Sequence, residues 1–308
     1  MLFRSGSSVG NARRGSVADG RTHADAGDWC AARDACDQQA KKIADQALEQ
    51  LADALAHGKS EALTRYLAML AKFHRYSFGN VLMILSQRPD ATHVAGFQTW
   101  RQMGRFVRKG EKGIVIIAPM LIRKRDEQAD AGTDEAKPIL RFRGVYVFDV
   151  SQTDGEALPE PARVNGDPRH HTDRLKALVT ERGITLDHAD VPPDALGVSR
   201  GGHISIRPDL EPAVEFSVLA HELAHELLHR GEDRPASKTV RETEAEAVAF
   251  VVCQAIGLEN GTAASDYIQL FDGKAETLAA SLDRIQKTAA DIIAALHGAL
   301  ASEPAEAG

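Results

Sequence analysis

From Asp37 onward, apolar residues recur at four-residue steps, Ile43, Ala47, Leu51 and Leu55 with Leu48 beside them, which is the stripe of an amphipathic helix. A second helix is expected over SEALTRYLAMLAKF, with Ser60 placed to cap it, and a third over FGNVLMILSQ, stopped before Pro89. After a short amphipathic piece around Trp100 the period changes to two: GIVIIAPMLI and ILRFRGVYVFDV read as strands, with Leu140 and Phe142 alternating with Arg141 and Arg143. The Pro- and Gly-rich stretch SQTDGEALPEPARVNGDPRHHT reads as a connection between domains. Beyond it come a helix at TDRLKALVTERG, a short strand at GHISIRP, and a helix over PAVEFSVLAHELAHELLHRG, with Pro212 near its start and Gly231 at its end. Two or three more helices follow, among them VRETEAEAVAFVVCQAIG and a last one with Leu278, Leu282, Ile285, Ala289, Ile292 and Leu296 along one face.

This pattern predicts an α+β chain: an N-terminal mixed α/β domain over 38–160, a linker at 161–172, and a mainly helical domain with a small sheet over 173–301. Residues 1–37 and 302–308 lack periodicity and are expected to be disordered extensions. No apolar run approaches the roughly 18 residues of a membrane span, and the N-terminus has no apolar core of the secretory type, so a cytoplasmic, membrane-free protein is expected. Cys30, Cys36 and Cys253 form neither a disulfide framework nor a Cys-rich metal motif and read as free thiols.

The chemistry concentrates in HELAH. Residues four apart on a helix lie about 6 Å higher and about 40° further round, so His221 and His225 project from one face and can grip one ion. Glu222 stands beside them where a carboxylate can take a proton from an activated water and pass it to a leaving amine. A third ligand must come from another helix. RETEAE offers Glu242 and Glu246, four apart on one face, one for the metal and the other for the outer ring N–H of a ligand histidine. Glu244 points about 200° away and is expected to be solvated, while His229 lies about 12 Å along the axis from His221, too far to share its ion, and reads as a helix-end histidine favoured by the dipole.

HELAH followed by Glu242, Thr243, Glu244, Ala245 and Glu246 resembles the gluzincin peptidases, in which HExxH is followed on a later helix by ExxA(D/E). That resemblance implies Zn²⁺ as cofactor, Glu242 as the third ligand, Glu246 as the partner of a ligand histidine, and close helix packing at Ala245. ETEAEAVA is also similar to the IrrE-like peptidases of bacteria and mobile elements, where an edge strand just before the metal helix, represented here by GHISI, holds substrate by strand addition.

The charge is segregated. Residues 61–125 hold 12 Lys plus Arg against 3 Asp plus Glu, in a chain whose net charge is −7. Aromatic residues sit among these cations, as single-stranded nucleic-acid binders require, and Arg75, Tyr76, Asn80, Trp100, Arg105, Lys109 and Lys112 are the expected DNA contacts. The string YSFGNVLMILSQRPDATHVAGFQTWRQMGRFVRKGEKGIVIIAP, followed by VFDVSQTDGEALP, resembles the N-terminal domain of the ArdC-type antirestriction proteins of plasmids and integrative elements; with the peptidase motif the likeness covers about residues 38–300. It implies a single-stranded-DNA-binding domain joined to a zinc peptidase domain, protecting incoming mobile-element DNA, with an unidentified protein substrate. A regulatory zinc protease that cuts a repressor, and a DNA-binding protein with an inactive zinc site, are the alternative readings.

Overall fold

The computed structural model describes residues 23–123, 138–156, 168–189, 191–193, 195–231, 234–258 and 274–298. Helix α1 (His23–Ala56) leads to α2 (Glu61–Lys72) and α3 (Phe78–Gln87). Then come β1 (Val94–Gly96), α4 (Phe97–Gln102), β2 (Arg105–Val107), the long strands β3 (Ile114–Arg123) and β4 (Pro138–Asp149), a 3₁₀ turn, and β5 (Thr153–Gly155). The second half holds α5 (Arg169–Glu181), β6 (Thr185–His188), β7 (Gly197–Ser199), β8 (His203–Ile206), α6 (Pro212–Leu228), α7 (Lys238–Ala255) and α8 (Ala275–Leu296). The expected α+β class is the observed one. Helix α1 starts at His23, earlier than the expected Asp37, so residues 23–36 are helical, and residues 169–172 of the expected linker open α5; residues 1–22, 161–167 and 302–308, the rest of the expected extension and linker and the expected tail, lie outside the described residues. No described helix is long and apolar enough to cross a membrane.

Among the described residues three sheets form, with orders β1-β4-β3, β2-β5 and β6-β8-β7. Strand β3 is an edge, which accommodates Pro119 without losing a ladder bond. Its free side is closed by side chains of α3. The Asn80 amide donates to Ile117 O (2.8 Å) and its oxygen accepts from Ile117 N (2.9 Å), while Gln87 does the same for Val115 at 2.9 and 3.0 Å. Two amides two helical turns apart thus stand in for a missing strand and blunt an edge that would otherwise recruit another chain. Asp149 and Gln152 are likewise structural. Buried Asp149 accepts from the backbone N–H of Thr92, His93 and Ser151, and Gln152 donates to Lys112 O, tying the basic loop to the sheet.

Helix α3 keeps its expected bounds, capped by Ser77, whose hydroxyl accepts from Asn80 N; the expected cap Ser60 has helical φ and ψ and makes no side-chain capping bond. The α8 stripe from Leu278 to Leu296 is buried as expected. Elements of both halves share one apolar cluster: Leu63, Leu67 and Leu70 of α2 belong with Val248 and Val252 of α7, and Gln286 of α8 donates to His74 O at the end of α2 (3.1 Å). Helix α7 lies between α6, α8 and α2, and is apolar nearly all round beyond Glu246, which is the signature of a helix buried on several sides.

Candidate metal centre and its surroundings

Pro212 occupies the first turn of α6, where its missing N–H costs no helical bond, and Ser237 caps α7 by accepting from Val240 N. Fully buried Ala220, Ala224 and Ala245 let α6 and α7 approach closely, which brings the HELAH face and Glu242 together. His221 Nε2 and His225 Nε2 are 3.0 Å apart, and Glu242 Oε2 lies 3.3 Å from the latter and 3.6 Å from the former. A tetrahedral zinc ion with bonds of about 2.0–2.1 Å spaces its ligand atoms by about 3.3–3.4 Å. Two imidazoles and a carboxylate at that spacing therefore fit such an ion, and among the described residues this is the one group of three that does. His221 Nδ1 faces Glu246 Oε2 at 3.4 Å, the place expected for an orienting carboxylate.

The electrostatics follow from this crowding. Burial works against a charged His221, but contacts with Glu242 and Glu246 outweigh it and hold the ring up to about 9. Contact with His221 draws Glu242 down to about 2, against the smaller effect of burial. Burial, aided by the charge of His221, pushes His225 down to about 4. Burial also raises the carboxyl of Glu222, with Glu242 and Glu226 adding to it against His221 and a backbone bond from Ser199. A carboxyl held above its usual range suits a group that must both accept and return a proton near neutral pH.

Strand β7 is the feature the sequence did not reveal. The expected edge strand, GHISI, is instead β8, the centre of its sheet, paired parallel to β6 and antiparallel to β7; the edge beside α6 is β7. Parallel pairing with β6 depends on a crossover through the intervening loop, which no local pattern in GHISI encodes. Arg207 N donates to Leu196 O and Arg200 N to His203 O, so the backbone groups of Gly197 and Ser199 alternate outward to the free side, where the Ser199 N–H meets Glu222. The hairpin closes through Gly201 and Gly202, φ 68° and 98°, a pair of positive φ values that only glycine adopts freely. Buried Glu226 accepts from both of their N–H groups (2.9 and 2.6 Å) and from Ser199 Oγ (2.5 Å), fastening the hairpin to α6.

Gly197 sets the distance between edge and helix. A Cβ there would lie 2.6 Å from Val218 Cγ1 and 2.9 Å from Glu222 Cγ. Gly197→Ala is expected to push β7 and Glu222 apart and to cut any hydrolytic kcat by at least about 10-fold while leaving metal content unchanged, because a misplacement of about 1 Å is enough for such losses. Steady-state kinetics beside metal analysis checks this; lost metal with unaltered kcat per bound metal would contradict it.

Several expected roles change. Glu244 is fully buried rather than solvated, because the side of α7 opposite Glu242 faces α8 and the end of α6; it contacts His229 and Arg284. His229 caps the C-terminus of α6 as expected, but buried. Of the expected DNA contacts, Trp100 is only 1% exposed and its indole donates to Phe148 O (2.8 Å), and the Asn80 amide is consumed by β3, so neither can meet a base. Tyr76 donates to Val94 O, and Arg105 is bonded to Thr153 and to the carbonyls of Gly155 and Glu156, so both serve the fold. Arg75, Lys109 and Lys112 are exposed. Exposed aromatic rings are found at Phe97, Phe106, Phe142 and Tyr146, the last two on one face of β4.

The family model of the N-terminal domain of anti-restriction factor ArdC matches residues 37–148. Among solved structures, the metal-free crystal structure of the antirestriction ArdC protein from R388 plasmid is similar, with 23% identity, a TM-score of 0.46, and coverage of 71% of this chain and 84% of that one. The Mn(II)-bound structure of the R388 protein has 19% identity and a TM-score of 0.50, covering 84% of this chain and 99% of that chain. The second likeness shows a common fold. No curated protein sequence matches this chain.

Proposed function

We propose that this chain, whose residues 37–148 match the N-terminal domain model of anti-restriction factor ArdC and whose fold is shared with the R388 protein, is an ArdC-type protein that binds single-stranded DNA through its basic half and hydrolyses protein at a zinc site formed by His221, His225 and Glu242. The observation that carries the peptidase reading is the triangle of three ligand atoms at 3.0, 3.3 and 3.6 Å with Glu222 and the free edge of β7 alongside. When bound, the ion would polarise the scissile carbonyl and acidify the attacking water. Glu222 accepts that water's proton and returns it to the leaving amine. The outward backbone groups of β7 other than the Ser199 N–H, which Glu222 holds, pair with an extended substrate segment, so that recognition rests on main-chain bonds and tolerates many side chains. Two imidazoles and a carboxylate favour zinc, whereas an all-oxygen site would suit manganese or magnesium; the R388 protein with Mn(II) supports a divalent ion at this fold.

For DNA, the exposed rings Phe106 and Phe142 and the exposed cations Arg75, Lys109 and Lys112 are the proposed contacts, in a cytoplasmic protein that protects incoming mobile-element DNA. Phe106→Ala and Phe142→Ala are each expected to weaken binding of a single-stranded oligonucleotide by about 1–3 kcal/mol. Affinity should also fall linearly on a logarithmic scale with salt, with a shallower slope in Lys109→Ala and Lys112→Ala. Fluorescence anisotropy of the full chain across a salt series measures both. Unchanged affinity in all four variants would contradict the assignment.

A further inference from the structure

Next to the ligand triangle, α6, α7 and α8 bury a second polar chain that peptide hydrolysis does not use. His225 Nδ1 lies 3.1 Å from His229 Nδ1, His229 Nε2 lies 3.1 Å from Glu244 Oε2, and Glu244 Oε1 accepts from Arg284 Nη2, which also donates to Ser281 Oγ (3.1 Å). His229 is 7% exposed and Glu244 is not exposed at all. A carboxylate in contact with a guanidinium is ionised and can only accept, so His229 Nε2 must carry a proton. A neutral His229 then has a bare Nδ1, which accepts from His225 Nδ1–H. That leaves His225 Nε2 without a proton, its lone pair turned toward His221 and Glu242. The tautomer of the inner ring is thus dictated two groups away.

Resting on the reading of His225 as a metal ligand, we propose that Glu244 and His229, anchored by Arg284, are positioning residues that orient His225 and fix it in the metal-binding tautomer. The two ligand histidines are therefore held differently. His221 leans on Glu246, a partly exposed carboxylate of α7, while His225 leans on His229 and Glu244, both buried. Ligand histidines whose outer N–H is held lose roughly 10- to 100-fold in metal affinity when the holding group is removed.

The test uses metal-free full-length protein with ¹⁵N-labelled histidine. Long-range ¹H–¹⁵N spectra of the wild type should show His225 protonated at Nδ1 and His229 at Nε2; the reverse tautomers would overturn the proposal. Glu244→Gln keeps the side chain's shape but adds an N–H that can donate to His229 Nε2, so His225 should become a mixture of tautomers. Zinc affinity, measured by chelator competition, should drop about 10- to 100-fold. A lowered melting temperature with unmoved tautomers and unaltered affinity would mean a purely structural role and would also overturn it. If Glu244→Gln does not fold, the wild-type spectrum decides alone. A wild type that binds no zinc would refute the metal-site reading above, whereas the spectrum of the metal-free protein judges the tautomer assignment by itself.

Discussion

Glu222→Gln should abolish peptide cleavage, lowering kcat by about 10²- to 10⁴-fold or more, while the protein keeps its zinc and its affinity for single-stranded DNA. The substitution preserves size in a crowded place, where Gly197 and Val218 leave no slack, and the amide oxygen can still accept from the Ser199 N–H. What is lost is the proton acceptor. None of the three ligand atoms belongs to Glu222, so metal content has no reason to change. Stability supplies a second readout. Burial, then the nearby Glu242 and Glu226, raise the carboxyl of Glu222 in the metal-free protein. A raised folded-state value means a contribution that is present at low pH and fades as pH rises through that value. Metal-free Glu222→Gln should therefore melt no lower than wild type at pH 7 to 8. A variant that cleaves a confirmed substrate at the wild-type rate would remove Glu222 from its assigned role.

Glu242→Ala should empty the site. With one of three donors gone, zinc affinity is expected to fall more than about 100-fold, beyond what losing an outer hydrogen-bond partner costs. Wild-type protein should hold about one zinc per chain and gain about 2.7 kcal/mol of stability at a free zinc concentration 100 times its Kd; at that same concentration the variant should gain next to nothing. Elemental analysis and zinc-dependent melting curves measure both. Glu242 is also one of the contacts that hold His221 up to about 9, so removing it should lower the His221 titration in the metal-free protein, visible in its ring resonances. Retention of stoichiometric zinc by Glu242→Ala would show that the third ligand lies elsewhere.

The elements readable from sequence are those where local pattern and tertiary demand agree. HELAH places two rings on one helical face whatever surrounds it, Pro212 marks the start of α6, and the apolar run of α3 fits its observed bounds. Where tertiary packing decides, the pattern misleads. Glu244 is opposite Glu242 on the helical wheel, and on a surface helix that side would be wet. The unbroken apolar run Ala247 to Cys253 was the available signal that α7 has no wet side there. Trp100 and Asn80 stand among cations in the sequence, yet one ring fills a buried site and the other amide closes a sheet edge. Strand β7 is three residues with two small ones, too short for any alternation to show, and only its pairing with β8 and its fit against Glu222 reveal it. The role of Glu226 has no local signal on α6, because it depends on a glycine turn that is distant along the chain.

The central claim is that a metal site with Glu222 beside it cuts protein. New protein termini, mapped in cells producing the wild type and in matched cells producing Glu222→Gln, test it most directly. The account predicts a small set of internal termini present with the wild type, absent with the variant, and reproduced when purified zinc-loaded wild type is added to the same proteins. Identical sets of termini from the two, with the wild type shown to carry zinc, would contradict it.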